Sequence, residues 1–132
     1  MLVFVRRLIC TLLVTSSVCA QPIVIGIAGG TASGKTMLAA RLQEGFPEDL
    51  TILSQDAYFK NFHLLTVEEK GSLNWDYPGA VDFDLLVEHL SLLKQGKAIE
   101  RPVYDFCTHS REDFTETVNP APIIIQIGRA HV

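Results

Sequence analysis

Between Gly29 and Thr36 the chain reads Gly-Gly-Thr-Ala-Ser-Gly-Lys-Thr, which satisfies the spacing G-x-x-x-x-G-K-[ST]. Those residue types suit the capture of a phosphate chain. Gly29, Gly30 and Gly34 let the backbone turn tightly and bring N–H groups close to phosphate oxygens. Thr31, Ala32 and Ser33 complete the same ring of main-chain donors. Lys35 sets an ammonium near the β- and γ-phosphates, and the Thr36 hydroxyl is placed to ligate Mg²⁺. A turn that only joined a strand to a helix would need neither the Lys nor the Thr.

A second reactive group stands at Asp56, in Leu-Ser-Gln-Asp-Ala-Tyr-Phe. It directly follows an apolar stretch, and in doubly wound sheets ligands sit beyond the carboxyl ends of the strands. A carboxylate there can take a proton from an acceptor hydroxyl or hold Mg²⁺ through water. The plainer alternative for an Asp in this place is a helix cap.

The elements around these groups follow from patterning. Ile23–Ala28 is a continuous apolar, β-branched run, expected as a strand buried on both faces of a parallel sheet. A helical pattern with Met37, Leu38, Ala40 and Arg41 runs from Lys35 to about Gln43, before Gly45 and Pro47 stop it. Leu50–Ser54 reads as a second strand. Thr66-Val-Glu-Glu69 carries capping-box spacing. A further helix is expected from Asp82 or Asp84 through Leu86, Leu90 and Leu93, with Lys94 in its last turn and Gly96 ending it. Pro102–Phe106 and Thr115–Val118 read as the arms of a hairpin, and Ile123–Ile125 as the next core strand. This alternation predicts an α/β fold of the P-loop NTPase type, a three-layer arrangement around a parallel sheet.

Composition narrows the function. The chain has 132 residues, enough for one domain with a real core, and 48% hydrophobic with 20% charged residues is a globular balance. A net charge of −4 argues against a nucleic-acid surface, which needs a basic stripe. Cys10, Cys19 and Cys107 form no metal or disulfide framework. His63, His89, His109 and His131 lack HExxH-type spacing. Asp76-Tyr-Pro-Gly79 matches a GTPase DxxG by letters, but polar Gly-Ser-Leu-Asn-Trp precedes it and no NKxD follows.

The two ends read differently from the body. Residues 1–20 carry Arg6 and Arg7, an apolar run from Leu8 to Val14, and Ser-Ser-Val-Cys-Ala ending at Ala20. That is the layout of a signal peptide, too short and broken to span a bilayer. Translated upstream sequence is the alternative. A body that binds ATP is expected in the reduced cytoplasm, with export through residues 1–20 as the other reading. Residues 21–125 are expected to be the N-terminal part of a kinase domain. Residues 126–132, Gln-Ile-Gly-Arg-Ala-His-Val, are expected to be a non-native tail, leaving the fold truncated at its C-terminus.

Four strings, Gly-Ile-Ala-Gly-Gly-Thr-Ala-Ser-Gly-Lys-Thr, Leu-Ser-Gln-Asp-Ala-Tyr-Phe-Lys, Asn-Trp-Asp-Tyr-Pro-Gly-Ala-Val-Asp and Pro-Val-Tyr-Asp-Phe-Cys-Thr-His-Ser-Arg, stand in one order. Together they resemble the uridine kinase (uridine–cytidine kinase) family over about Pro22–Ile125. The resemblance implies transfer of phosphate from ATP, with Mg²⁺, to the 5′-hydroxyl of uridine or cytidine, in pyrimidine salvage. It implies that Asp56 is the catalytic base, acting with Lys35, and that Thr36 and Asp56 serve the metal. Asp76 is then the carboxylate that holds the ribose hydroxyls. Tyr104 and His109 read the pyrimidine edge, Phe106 walls the base pocket, and Arg111 completes the substrate set from the same loop. The hairpin lies over the substrate site. The family's usual oligomeric state implies a homo-oligomeric parent, with no nucleic-acid or membrane partner.

Departures from the family pattern are visible too. Phe59 stands where Tyr is usual, and Tyr77 and Gly79 stand where His and Asp are common. An acidic residue is missing after Ile125, and so is the arginine-bearing lid. The 132-residue chain itself is therefore expected to be inactive and marginally stable. Other small-molecule kinases of this type, acting on phosphoribulose-like sugars or pantothenate, remain alternatives, as does a nucleotide-binding chain without activity.

Overall fold

The computed structural model describes residues 20–62 and 64–129; the leader-like residues 1–19, His63 and the last three residues of the tail lie outside the described residues. β1 (Ile23–Gly29) runs through the glycine-rich loop into α1 (Lys35–Gly45). β2 (Leu50–Ser54) follows, ending in a 3₁₀ turn over Gln55–Tyr58. α2 (Val67–Gly71), a second 3₁₀ turn at Pro78–Ala80 and α3 (Phe83–Lys94) come next. The chain closes with β3 (Ile99–Asp105), β4 (Ser110–Val118) and β5 (Ile123–Arg129).

β5 lies between β1 and β2 and pairs with both in parallel, so Ile125 sits opposite Ile25 on one side and Ile52 on the other. Because side chains alternate along a strand, the isoleucines of β5 feed both faces. Ile124 joins Leu53, Tyr58, Leu86, Leu93 and Ile99 in one cluster, while Ile125 and Ile127 join Leu50 and Ala39 in another. The first is covered by the 3₁₀ turn, α3 and the hairpin; the second is covered by α1. The result is the expected three-layer α/β arrangement. Leu53 and Ile124 are fully buried, each contributing about 1.5–3 kcal/mol relative to exposure.

The local signals of α2 and α3 act as the spacing implies. Thr66 and Glu69 form a reciprocal capping box, with bonds of 2.8 and 3.3 Å. Asp82 caps α3 by accepting the Leu85 N–H at 3.2 Å, and Gly96 takes a φ of 75° just beyond the helix end. Leu86, His89 and Leu93 then fall on the buried face of α3, three and four residues apart.

Other expectations need correction. β1 is not buried on both faces: Ile23, Val24 and Ile25 are 63%, 38% and 46% exposed. It is an edge strand that pairs only with β5 among the described residues. In α1 the sheet-facing residues are Ala39 and Leu42, whereas Met37 and Leu38 are exposed. The hairpin is longer than its predicted arms, because antiparallel pairing runs from Ile99↔Val118 to Asp105↔Ser110. Phe106 falls in its turn. β5 continues past Ile125 through Gln126–Arg129, since parallel pairing with β1 uses main-chain groups that any non-proline residue supplies.

One buried polar pair has a pH consequence. The Tyr58 hydroxyl lies 2.8 Å from Nδ1 of His89. Burial pushes the Tyr58 phenol well above its ordinary value, so it stays protonated beside the imidazole. Burial also holds His89 below its ordinary value of 6.5, with Glu88 and Asp82 opposing and Arg111 reinforcing the shift. The folded chain thus binds this proton less readily than the unfolded chain. Its stabilising effect is complete above the unfolded value and is lost as pH falls below it. The melting temperature is expected to drop between pH 7 and pH 5, and His89→Asn to flatten that slope. Equal slopes in the two proteins would rule out His89 as the source.

Candidate active site

The glycine-rich loop has the backbone of an anion nest. Gly34 takes a φ of 86° and Ala32 a φ of 59°, which aims successive N–H groups toward one side. Gly34 suits its position because it carries no Cβ to clash at positive φ; the strain at Ala32 is of the kind held at ligand sites. Gly34 also begins α1 without a side-chain cap, and no acidic residue occupies the first turn of that helix. Its N-terminal donors and positive dipole end therefore face outward, ready for an anion. The Lys35 ammonium folds back on the loop, donating to the Gly30 carbonyl at 2.6 Å and to Ser33 Oγ at 3.4 Å.

Asp56 reaches this loop through β2. Ser54 caps the 3₁₀ turn by accepting the Asp56 N–H at 3.3 Å, so the capping role falls to Ser54 rather than to Asp56. A cavity of about 180 Å³ is lined by Thr31, Ala32, Lys35, Thr36 and Asp56, with Ile127, Gly128 and Arg129 from the end of β5. Two residues distant in sequence from Lys35, Asp56 and Arg129, thus meet it at the carboxyl edge of the sheet, as the strand-end rule requires. The Thr36 hydroxyl and Asp56 carboxylate are hard oxygen donors of the kind Mg²⁺ takes alongside phosphate oxygens and water. No cluster of three or more His, Cys, Asp or Glu suited to a metal occurs among the described residues.

The hairpin brings together a second group. Tyr104 is 8% exposed, and its hydroxyl has no hydrogen-bond partner among the described residues. Burial pushes its phenol up, with Asp105 adding to the shift and Arg111 opposing it. Its ring packs beside Phe59 and Phe106 at centroid distances of 5.3 and 5.1 Å. His109, at a φ of 51°, stacks on Trp75 with centroids 4.7 Å apart and planes 18° apart. Asp105 shapes the turn by accepting the Cys107 N–H and the Thr108 hydroxyl, both at 2.8 Å.

Arg111, expected in the substrate set, spends its guanidinium on the protein. It donates to the Phe59 carbonyl at 2.8 Å, the Tyr58 carbonyl at 3.4 Å and the Asp82 carboxylate at 3.2 Å. It clamps the hairpin to the 3₁₀ turn and to the start of α3, so its part is support of the loop. Asp76 is also engaged, in an ion pair with Arg129. Trp75 and Arg129 were not singled out by sequence reasoning. A Trp adjacent to Asp76 was the available signal for the first. For the second it was position at a strand's carboxyl end, hidden by ending β5 at Ile125.

An unpartnered buried hydroxyl permits a sharp prediction. Tyr104→Phe removes a group that gains nothing in the ligand-free fold, so stability is expected to hold or to rise by about 1 kcal/mol. Nucleoside affinity is expected to fall about tenfold if that hydroxyl meets the base. Urea unfolding and nucleoside titration separate the two effects. A large stability loss with unchanged nucleoside binding would make Tyr104 purely structural.

A parallel sheet ending in a glycine-rich phosphate loop, with a carboxylate across the cavity, defines a P-loop kinase-type protein. Residues 24–128 match the model of the phosphoribulokinase / uridine kinase family. The chain belongs to that family. It is 46% identical over 109 residues to a uridine kinase of Halalkalibacterium halodurans, covering 82% of this chain and 52% of that protein. A uridine kinase of Brevibacillus brevis is 45% identical over 109 residues, with 82% and 51% covered. The chain thus spans about half the length of the curated relatives it matches. Among solved structures, a possible uridine kinase from Bacillus stearothermophilus superposes with a TM-score of 0.65 at 25% identity, covering 83% of this chain and 62% of that one. A D-glycerate 3-kinase from Cryptococcus neoformans shares the fold, with a TM-score of 0.56 at 19% identity over 81% of this chain and 43% of that one. No helix among the described residues is long and apolar enough to cross a membrane.

Proposed function

We propose that this chain carries the nucleotide and acceptor sites of an ATP-dependent uridine–cytidine kinase acting at the nucleoside 5′-hydroxyl. The observation that carries the reading is the shared cavity, in which Lys35 and Thr36 of the phosphate loop face Asp56 beyond the end of β2. Main-chain N–H groups from Gly29 to Thr36 would hold the triphosphate, and Lys35 would leave the Gly30 carbonyl for the β- and γ-phosphate oxygens. Asp56 orients the 5′-hydroxyl and accepts its proton. The 5′-oxygen then forms a bond to the γ-phosphorus, the bond to the β,γ-bridging oxygen breaks, and ADP leaves with that oxygen. Thr36 and Asp56 would hold Mg²⁺, which neutralises charge between the β- and γ-phosphates when bound. Most of the rate then comes from positioning and charge stabilisation.

For the acceptor, the unpartnered Tyr104 hydroxyl and the His109 ring support recognition of a pyrimidine edge, and Phe106 offers an aromatic wall. Asp76 suits a ribose diol, because a carboxylate accepts two hydroxyl donors side by side. Identity of about 45% to proteins named uridine kinase favours this acceptor over a sugar phosphate. A panel of uridine, cytidine, ribulose 5-phosphate and pantothenate with labelled ATP tests the assignment. In a version of the chain extended to the length of its relatives, phosphorylation of the pyrimidine nucleosides is expected. Preference for either other acceptor would refute it.

A further inference from the structure

Arg111 stands where the hairpin meets the turn that carries Asp56. On the hairpin it lies directly across from Tyr104. Its side chain ends on the main chain just past Asp56. There Nε donates to the Phe59 carbonyl at 2.8 Å and Nη2 to the Tyr58 carbonyl at 3.4 Å. Nη2 also meets Oδ2 of Asp82 at 3.2 Å. That carboxylate is itself fixed, because its Oδ1 accepts the Leu85 N–H and the Asp82 N–H donates to the Tyr58 carbonyl at 2.8 Å. Phe59 and Val81 form an antiparallel bridge beside it, and the Lys60 N–H donates to the Ala80 carbonyl at 2.8 Å. The Arg111 and Asp82 side chains are 21% and 30% exposed, so most of the pair is shielded from water.

We propose that Arg111 and Asp82 are positioning residues for Asp56: their pair sets the span between the hairpin that holds the base and the turn that meets the 5′-hydroxyl. This rests on the reading of Asp56 as the acceptor base and of Tyr104 and His109 as the groups that hold the pyrimidine. A nucleoside carries its pyrimidine edge and its 5′-hydroxyl at opposite ends of one short molecule. With the base held on the hairpin, the hydroxyl comes within about 2.6–3.2 Å of Asp56 at one spacing of hairpin and turn. An error of about 1 Å in such a span is enough to lower a rate about a hundredfold. The Phe59 and Tyr104 rings, with centroids 5.3 Å apart, join the same two elements, but apolar packing is not directional. A planar guanidinium with its donors in a rigid fork fixes both distance and orientation. Its bonds go to protein groups, so the pair acts through Asp56.

The test is calorimetric titration of the 132-residue chain with uridine and with 5′-deoxyuridine, which lacks the hydroxyl assigned to Asp56. The wild-type chain is expected to prefer uridine about tenfold, the worth of one hydrogen bond to a carboxylate. In Arg111→Gln that preference is expected to fall below about twofold, with 5′-deoxyuridine affinity within about threefold of wild type. Asp82→Asn carries the test should Arg111→Gln fail to fold, because Asn caps a helix as well as Asp does. Its single amide oxygen then serves Leu85, and an NH2 group faces the guanidinium. The preference there is expected to drop to about threefold. A preference still near tenfold in both variants, or a loss shared equally by the two nucleosides, would overturn the positioning role alone. A wild-type chain that binds neither nucleoside, or both equally, would overturn the acceptor reading and the positioning role together.

Discussion

Asp56→Asn is expected to abolish most turnover while leaving affinity for ATP without magnesium within about twofold. Asn keeps the size and the hydrogen-bonding reach of the side chain but cannot accept the 5′-hydroxyl proton. General-base catalysis of this kind contributes about 10²–10⁴-fold. The turn backbone need not change, because Ser54 rather than the Asp56 side chain caps it. Steady-state kinetics with uridine, in a preparation with measurable turnover, should show kcat falling by at least about a hundredfold. A loss within about tenfold, roughly 1.4 kcal/mol of barrier, would move the proton to another acceptor.

Lys35→Ala is expected to weaken MgATP binding about 10- to 100-fold, since one charge-assisted bond to phosphate is worth about 1.5–3 kcal/mol. The fold should be nearly unaffected. The ammonium is exposed, and among the described residues its bonds go to the Gly30 carbonyl and the Ser33 hydroxyl of its own loop. Titration calorimetry and thermal melting read the two effects separately. An affinity loss below about threefold with an intact fold would mean that main-chain donors alone carry the triphosphate.

The phosphate loop was legible because its chemistry is local: each residue type has a function within eight positions, and a strand and a helix flank it. Asp82, Thr66 and Glu69 were legible for the same reason, since caps act on the next turn. Asp56 could be located by a topological rule, from the strand that precedes it. Other features depend on pairings that no window contains. The exposure of Ile23, Val24 and Ile25 follows from β1 lying at the sheet edge, which an apolar run does not disclose. The length of β5 follows from pairing with β2 as far as Ile127 and with β1 as far as Arg129, which carries Gln126, Gly128 and Arg129 into the strand despite their broken pattern. The Arg111 clamp, the Trp75–His109 stack and the Arg129–Asp76 pair each join segments more than 25 residues apart in sequence. Resemblance named Arg111 without stating its partners, and it left Trp75 and Arg129 unmarked.

Phosphoryl transfer here requires a triphosphate held by the Gly29–Thr36 loop with an acceptor hydroxyl at Asp56. A crystal structure with a non-hydrolysable ATP analogue, magnesium and uridine examines that arrangement most directly. The γ-phosphate is predicted within hydrogen-bond reach of Lys35, and the uridine 5′-oxygen about 2.6–3.2 Å from an Asp56 oxygen. Phosphates bound away from the loop, or a sugar whose 5′-oxygen faces any other residue, would contradict it.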